Sequence, residues 1–134
     1  MSVEEIFAKQ KLLVLMGAKL DRVADGEVDI SLDFRDDLGQ QSGALHAGTV
    51  AAIADTACGL AALSLMPAGS GVVSVEFKLN LLAPAVGAHF VAKGRVVRAG
   101  KTLSVCTADV IADGERVVAT MLGTMMRRAP TPTS

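Results

Sequence analysis

Hydrophobic positions along the chain change period several times, and each change predicts an element. Val3, Ile6, Phe7 and Val14 recur at helical intervals with Lys11 among them, after Ser2 and the pair Glu4-Glu5 and before Gly17. Capping chemistry at the start and glycine at the end predict one amphipathic outer helix over Val3–Met16. Further on, Val28, Ile30, Leu32 and Phe34 alternate with Asp29, Ser31 and Asp33, behind an Asp25-Gly26 turn. A period of two predicts a half-buried antiparallel strand, in a hairpin of Lys19–Val23 with Glu27–Phe34. From Ala47 to Met66 the chain is rich in Ala, Leu and Ile with no proline, and Pro67, Gly69 and Gly71 follow. That is about five turns of a buried central helix. Four strand-like runs come next: Val72–Leu82, His89–Arg98, Thr102–Ala112 and Glu115–Arg128. Pro84-Ala85-Val86-Gly87 joins the first two, and Ala99-Gly100-Lys101 and Asp113-Gly114 have hairpin chemistry. A long apolar helix followed by an antiparallel meander predicts a single α+β domain over residues 1–128, with the sheet's concave face wrapped around the helix. The last residues, 129–134, carry two Pro and two Thr and are expected to be a disordered tail.

Composition narrows the function classes. With 13 Lys+Arg against 14 Asp+Glu in 134 residues the net charge is -1, and aromatics are 3% with no Trp or Tyr. Neither the basic footprint nor the stacking platform of a nucleic-acid protein is present. Apolar residues reach 51% and charged ones 20%, which predicts surface buried against another chain. Cys58 and Cys106 lack metal or CxxC spacing, so they read as small buried hydrophobes in a reducing compartment. No metal site and no cofactor are expected. The Leu12–Met16 run is too short, and Glu4 and Glu5 too acidic, for a secretion signal. The apolar stretch Gly43–Gly71 is interrupted by His46 and Asp55, so it suits a core helix better than a membrane span. A cytoplasmic location is the expectation.

Asp55 stands out, because a carboxylate inside an apolar helix loses hydration on burial unless something compensates. Its helical neighbours Ala51, Ala52, Cys58 and Gly59 are small and leave a groove for a ligand or another backbone. Asp55 is either a general base or nucleophile in a cleft, or a structural hydrogen-bonding residue at an interface. Just ahead of the helix lies Gly43-Ala44-Leu45-His46-Ala47-Gly48. The unpaired amides of a helix start, here those of Ala47 and Gly48, can receive a developing oxyanion. His46 is more readily a local hydrogen-bonding residue than a catalyst. Ala47 and Asp55 are separated by about 12 Å along a straight helix, too far for one carbonyl to touch both. Two chains about a twofold axis can bring the amide end of one helix to the carboxylate of the other.

The run Gln40-Gln41-Ser42-Gly43-Ala44-Leu45-His46-Ala47-Gly48 followed by Ile53-Ala54-Asp55 resembles the signature of PaaI-type hotdog-fold acyl-CoA thioesterases, roughly Asn-x-x-Gly-x-x-His-Gly-Gly-x4-(Leu)-x-Asp. The resemblance continues through Val73–Phe77, Leu82–Ala85 and Arg98–Thr102, and so covers roughly residues 15 to 128. It implies a hotdog fold, a homodimer that pairs into a homotetramer, and hydrolysis of acyl-CoA between subunits. By position, Asp55 would be the catalytic carboxylate, Ala47 N–H the oxyanion donor and Gln40 the group that polarises or positions the thioester. Ser74 would orient water or be an ordinary strand serine. His46 and Gly48 would shape the turn.

Two departures bear on the chemistry. Gln40 replaces the usual Asn, as in the 4-hydroxybenzoyl-CoA branch, which pairs its Gln with Glu rather than Asp. Ala47 replaces the first Gly of the His-Gly-Gly pattern, which keeps the N–H but adds a methyl. Lys78, Arg95, Arg98, Lys101, Arg127 and Arg128 are candidates by charge for the CoA phosphates, Arg98 and Lys101 lying within the resembling segment. His89 is expected at the surface. Met66, Met121, Met125 and Met126 are available to line an acyl pocket. The competing readings are a non-catalytic acyl-CoA-binding hotdog protein, a purely structural oligomer, and a dehydratase, for which no His/Glu pair is visible.

Overall fold

The computed structural model describes residues 1–130. Two short helices, α1 (Val3–Ala8) and α2 (Lys11–Met16), precede a hairpin of β1 (Lys19–Ala24) and β2 (Glu27–Asp33). A single 3₁₀ turn (Asp36–Leu38) leads to α3 (Ala47–Leu63), followed by β3 (Gly71–Leu81), β4 (His89–Ala99), β5 (Leu103–Ala112) and β6 (Arg116–Arg128). All six strands form one sheet in the order β1-β2-β4-β5-β6-β3, antiparallel at every pairing. This is the expected α+β architecture, an antiparallel sheet around one long helix.

Burial explains the arrangement. Val28, Ile30 and Leu32 of β2 and Val50, Ile53, Ala54, Ala57, Cys58 and Ala61 of α3 are almost wholly buried, together with Phe90, Ala92, Cys106, Ala108 and Val110 of the sheet. Alternate residues of β4 and β5 point at the helix, which is what a period of two at a one-sided core requires. The sheet comes so close that a Cβ on Gly94 would lie 2.3 Å from the Ala57 carbonyl oxygen. Only glycine permits that approach. At the β5–β6 hairpin Asp113 and Gly114 have φ of 51° and 69°, as a type I′ turn demands.

Four sequence expectations are corrected. The outer helix is two helices: α1, capped by a Ser2–Glu5 capping box, ends at Ala8, and the backbone is extended at Gln10. Neither glycine nor proline marks that break; helices of six residues owe their stability to the surface they pack on, so propensity cannot locate it. The central helix stops at Leu63 instead of Met66. Ser64 Oγ bonds back to Ala61 O at 2.6 Å and accepts the Gly26 N–H at 2.8 Å, and the next turn tightens to i−3 bonds at Leu65 and Met66. The four late strands are not one meander, because β3 pairs with β6 at the sheet edge and the segment after it crosses back to β4. Met121 and Met125 are buried in the core. Of the expected disordered tail, 131–134 lie outside the described residues, and Ala129 and Pro130 have no regular structure.

The two edges of the sheet differ. β1 is six residues and exposes Lys19, Asp21 and Arg22, whereas β3 is eleven residues with Val73, Val75, Phe77 and Leu81 exposed, and Leu82 follows them. A long apolar edge with unpaired backbone groups is a surface suited to another chain.

Candidate active site

The start of α3 is organised by His46. As N-cap it is extended (φ −62°, ψ 142°), and its Nδ1 accepts the Gly48 N–H at 2.8 Å. A neutral ring in this arrangement carries its proton on Nε2. A Cβ on Gly48 would meet Nδ1 at 3.1 Å, so glycine there keeps the imidazole in place. Thr49 N–H and Val50 N–H both go to His46 O, at 2.9 and 3.2 Å. Among the described residues only the Ala47 N–H of this first turn is left without an acceptor. Gly48, which the sequence offered as a second oxyanion donor, has its amide committed to the imidazole.

The preceding loop is pinned to the same point. Gln40 N–H bonds to Ala44 O at 2.9 Å and Gly43 N–H to Gln40 O at 3.2 Å, with Gly43 in the left-handed region at φ 86°. His46 N–H and Thr49 Oγ1 both donate to Leu38 O, at 3.0 and 2.9 Å, which ties the 3₁₀ turn to the helix start. Leu45 N–H reaches Ala85 O at 2.9 Å. Gln40, with an exposed side chain, and Ala47 thereby line one cleft of about 560 Å³, whose far wall is the segment Leu81–Val86. Thr49 was not singled out from the sequence, and a threonine in the first helical turn gives no local signal of this role.

Asp55, half-buried in the middle of α3, lies in a different cleft of about 280 Å³ with Ser74 of β3. Ser74 Oγ donates to Asp55 Oδ1 at 2.6 Å. That bond orients the carboxylate and leaves Oδ2 without a protein partner among the described residues. The β3–β6 register shifts between Ser74 and Glu76, and such bulges redirect side chains where a strand meets a site. Asp55 can take a proton from water or attack a carbonyl; Ala47 N–H can receive negative charge on oxygen. Within one chain the two groups open into separate clefts.

The remaining predicted residues are dispersed. Lys101 lines a third cleft, of about 340 Å³, with Arg127 at the opposite end of α3 from Ala47. Arg98 is exposed on β4. Arg95 is engaged by Glu27 at 3.2 Å and Asp29 at 2.8 Å, so it is not free for a phosphate. His89 begins β4 at the surface, where Nδ1 meets Asp33 Oδ1 at 2.7 Å; that hydrogen bond holds the Asp33 carboxyl below its usual range. Both cysteines are buried and free, and burial pushes the Cys106 thiol up to about 11 and that of Cys58 further. Among the described residues no helix is long and apolar enough to cross a membrane, and no three His, Cys, Asp or Glu side chains converge as a metal site.

Comparison with known proteins agrees with this fold. The family model of the thioesterase superfamily matches residues 42–119. A protein of Halobacterium salinarum named as a candidate esterase is 31% identical over 105 residues, covering 75% of this chain and 69% of its own. A thioesterase family protein from Silicibacter pomeroyi superposes with a TM-score of 0.91 at 43% identity, over 94% of this chain and 95% of the other. The PaaI protein of the E. coli phenylacetic acid degradation operon shares the fold, with a TM-score of 0.89 at 19% identity over 98% and 94% of the two chains. The chain therefore belongs to the thioesterase superfamily, as a thioester hydrolase of PaaI-type hotdog fold.

Proposed function

We propose that this thioesterase hydrolyses acyl-CoA to free acid and CoA at sites each built from two chains. The observation that carries the reading is the division of α3: Ala47 and Gln40 share one cleft, and Asp55 and Ser74 another. The long apolar edge of β3, which supplies Ser74 and Val72 to the Asp55 cleft, is the surface on which a second copy would complete both. Asp55 takes a proton from water, and the oxygen adds to the thioester carbonyl. Ala47 N–H and the Gln40 carboxamide hold the oxyanion, and collapse breaks the C–S bond as the thiolate recovers the proton. Ser74 fixes the carboxylate so that Oδ2 meets the water. No metal or cofactor is called on for these steps.

Arg98 and Lys101 are the proposed contacts for the CoA phosphates, with Lys101 set in a cleft and Arg95 already engaged. Exposed Leu12 and Leu15 of α2 support a second interface that would pair dimers into a tetramer. The proposed setting is the cytoplasm, without nucleic-acid or membrane partners. The test is thiol release from acetyl-, medium-chain acyl-, phenylacetyl-, benzoyl- and hydroxybenzoyl-CoA by the parent and Asp55→Ala. Turnover of at least one class that disappears in the variant is expected. No turnover above the Asp55→Ala background would favour a non-catalytic acyl-CoA-binding protein instead.

A further inference from the structure

Resting on the reading of Asp55 as part of the thioester-cleaving centre, we infer that the N-terminal segment, through Ile6 of α1 and Gln10 at the break before α2, forms the wall against which the acyl group is selected. Gln10 is the residue that recognises a hydrogen-bonding substituent on that group. The Asp55 cleft is bounded by Ile6 and Gln10 on one side, by Gly59 and Leu60 of α3 and by Val72 of β3. Ile6 and Gln10 lie outside the stretch 42–119 that matches the superfamily.

The polar groups in this cleft are unequally committed. Ser74 Oγ is given to Asp55, and Thr56 Oγ1 to the Ala52 carbonyl at 2.8 Å. Gln10, half-buried, occupies the N-cap position of α2 but makes no capping bond with its side chain, and its carboxamide has no protein partner among the described residues. The carboxamide keeps contact with water in the cleft, so it can exchange that water for a polar group on a bound acyl chain. A hydroxyl or carbonyl on the acyl group supplies the missing partner. The helix break at Gln10 (φ −76°, ψ 95°) is where this side chain leaves the chain for the cleft.

Gly59 adds an independent observation. It lies one turn beyond Asp55 inside α3, where glycine is intrinsically less favourable than alanine. A Cβ there would make only ordinary contacts, Met125 Sδ at 3.9 Å and Val72 Cγ1 at 4.0 Å. Packing within the chain does not require glycine, and its effect is room in the cleft for a compact acyl group carrying a polar substituent.

The experiment compares kcat/KM for acyl-CoA pairs differing by one hydroxyl, benzoyl with 4-hydroxybenzoyl and butyryl with 3-hydroxybutyryl. The parent, Gln10→Leu and Gly59→Ala are assayed, with Asp55→Asn as background and the oligomeric state of each variant measured. In at least one pair the parent is expected to favour the hydroxylated member. Gln10→Leu should cut that preference about tenfold, the effect of one lost hydrogen bond. Gly59→Ala should lower kcat/KM for the bulkier acyl groups more than for acetyl-CoA. An unchanged hydroxyl preference in Gln10→Leu, with Asp55-dependent turnover intact, would overturn the inference and leave the thioesterase reading standing. So would equal losses on all substrates together with weakened subunit association in both variants, which would assign the space to the partner's chain. Absence of any Asp55-dependent acyl-CoA turnover would instead remove the underlying reading and this inference with it.

Discussion

The start and the middle of α3 offer two unlike devices on one helix. At the start, the available group is a backbone amide, Ala47 N–H, left over after the His46 ring and carbonyl have taken its neighbours. In the middle it is a side chain, the Asp55 carboxylate, held by Ser74 at 2.6 Å. A backbone donor tolerates a change of side chain, so alanine can stand where the family pattern has glycine. A carboxylate tolerates none. The first device depends on where the helix begins, and the second on which residue it carries.

That contrast orders the expected effects of substitution. Asp55→Asn keeps the size of the side chain and removes the proposed base; kcat should fall about 10²- to 10⁴-fold, with the thermal midpoint little changed. Survival of parental turnover would break the assignment. Ala47→Pro probes the other device cleanly, because Ala47 is the first helical residue, where proline is well accommodated, and His46 already has the extended backbone that precedes proline. It replaces the N–H by a ring methylene, so the donor is lost and carbon stands where the hydrogen pointed. A fall of about 10²- to 10³-fold in kcat with retained helical circular dichroism is expected. Ala47→Gly, which restores the family residue and keeps the amide, should stay within about threefold of the parent, since only backbone freedom changes. Ser74→Ala should cost about tenfold in kcat, the scale of one hydrogen bond to a charged group, with KM nearly unchanged.

The smallest effects concern groups outside both devices. Cys58 and Cys106 are buried with raised thiol pKa values, so a thiol reagent at neutral pH should label neither in the native protein and both after denaturation. Raised folded-state values also fix a sign. The Cys106 contribution is complete below its ordinary value of 9.0 and is lost as pH rises toward about 11, so denaturant midpoints should fall across that alkaline window. Replacing Cys106 with Ala should flatten the decline.

Much of this was legible in the sequence, because it rests on local patterns. The alternation at Val28–Phe34 gave the β2 strand its buried face, and Asp113-Gly114 is the turn its residue types foretold. Asp55 and Ala47 could be picked out because each violates its surroundings, one as a charge in an apolar helix, the other at a helix start. What could not be read is what depends on distant parts of the chain. The pairing of β3 with β6 has no local signature, nor has the break at Gln10. Thr49 reaches Leu38 O only because the 3₁₀ turn folds back on the helix. The lining of the Asp55 cleft by Ile6 and Gln10 joins residues about fifty positions apart.

The central claim is that one site needs two chains, and mixed subunits test it most directly. Asp55→Asn and Ala47→Pro chains, unfolded together in equal amounts and refolded, should give heterodimers in half the assemblies, each with one site of intact Ala47 and Asp55. The mixture should regain about a quarter of parental thioesterase activity, as random pairing about a twofold axis requires. Activity no greater than the mean of the two variants refolded separately, in a mixture shown to contain heterodimers, would contradict the account.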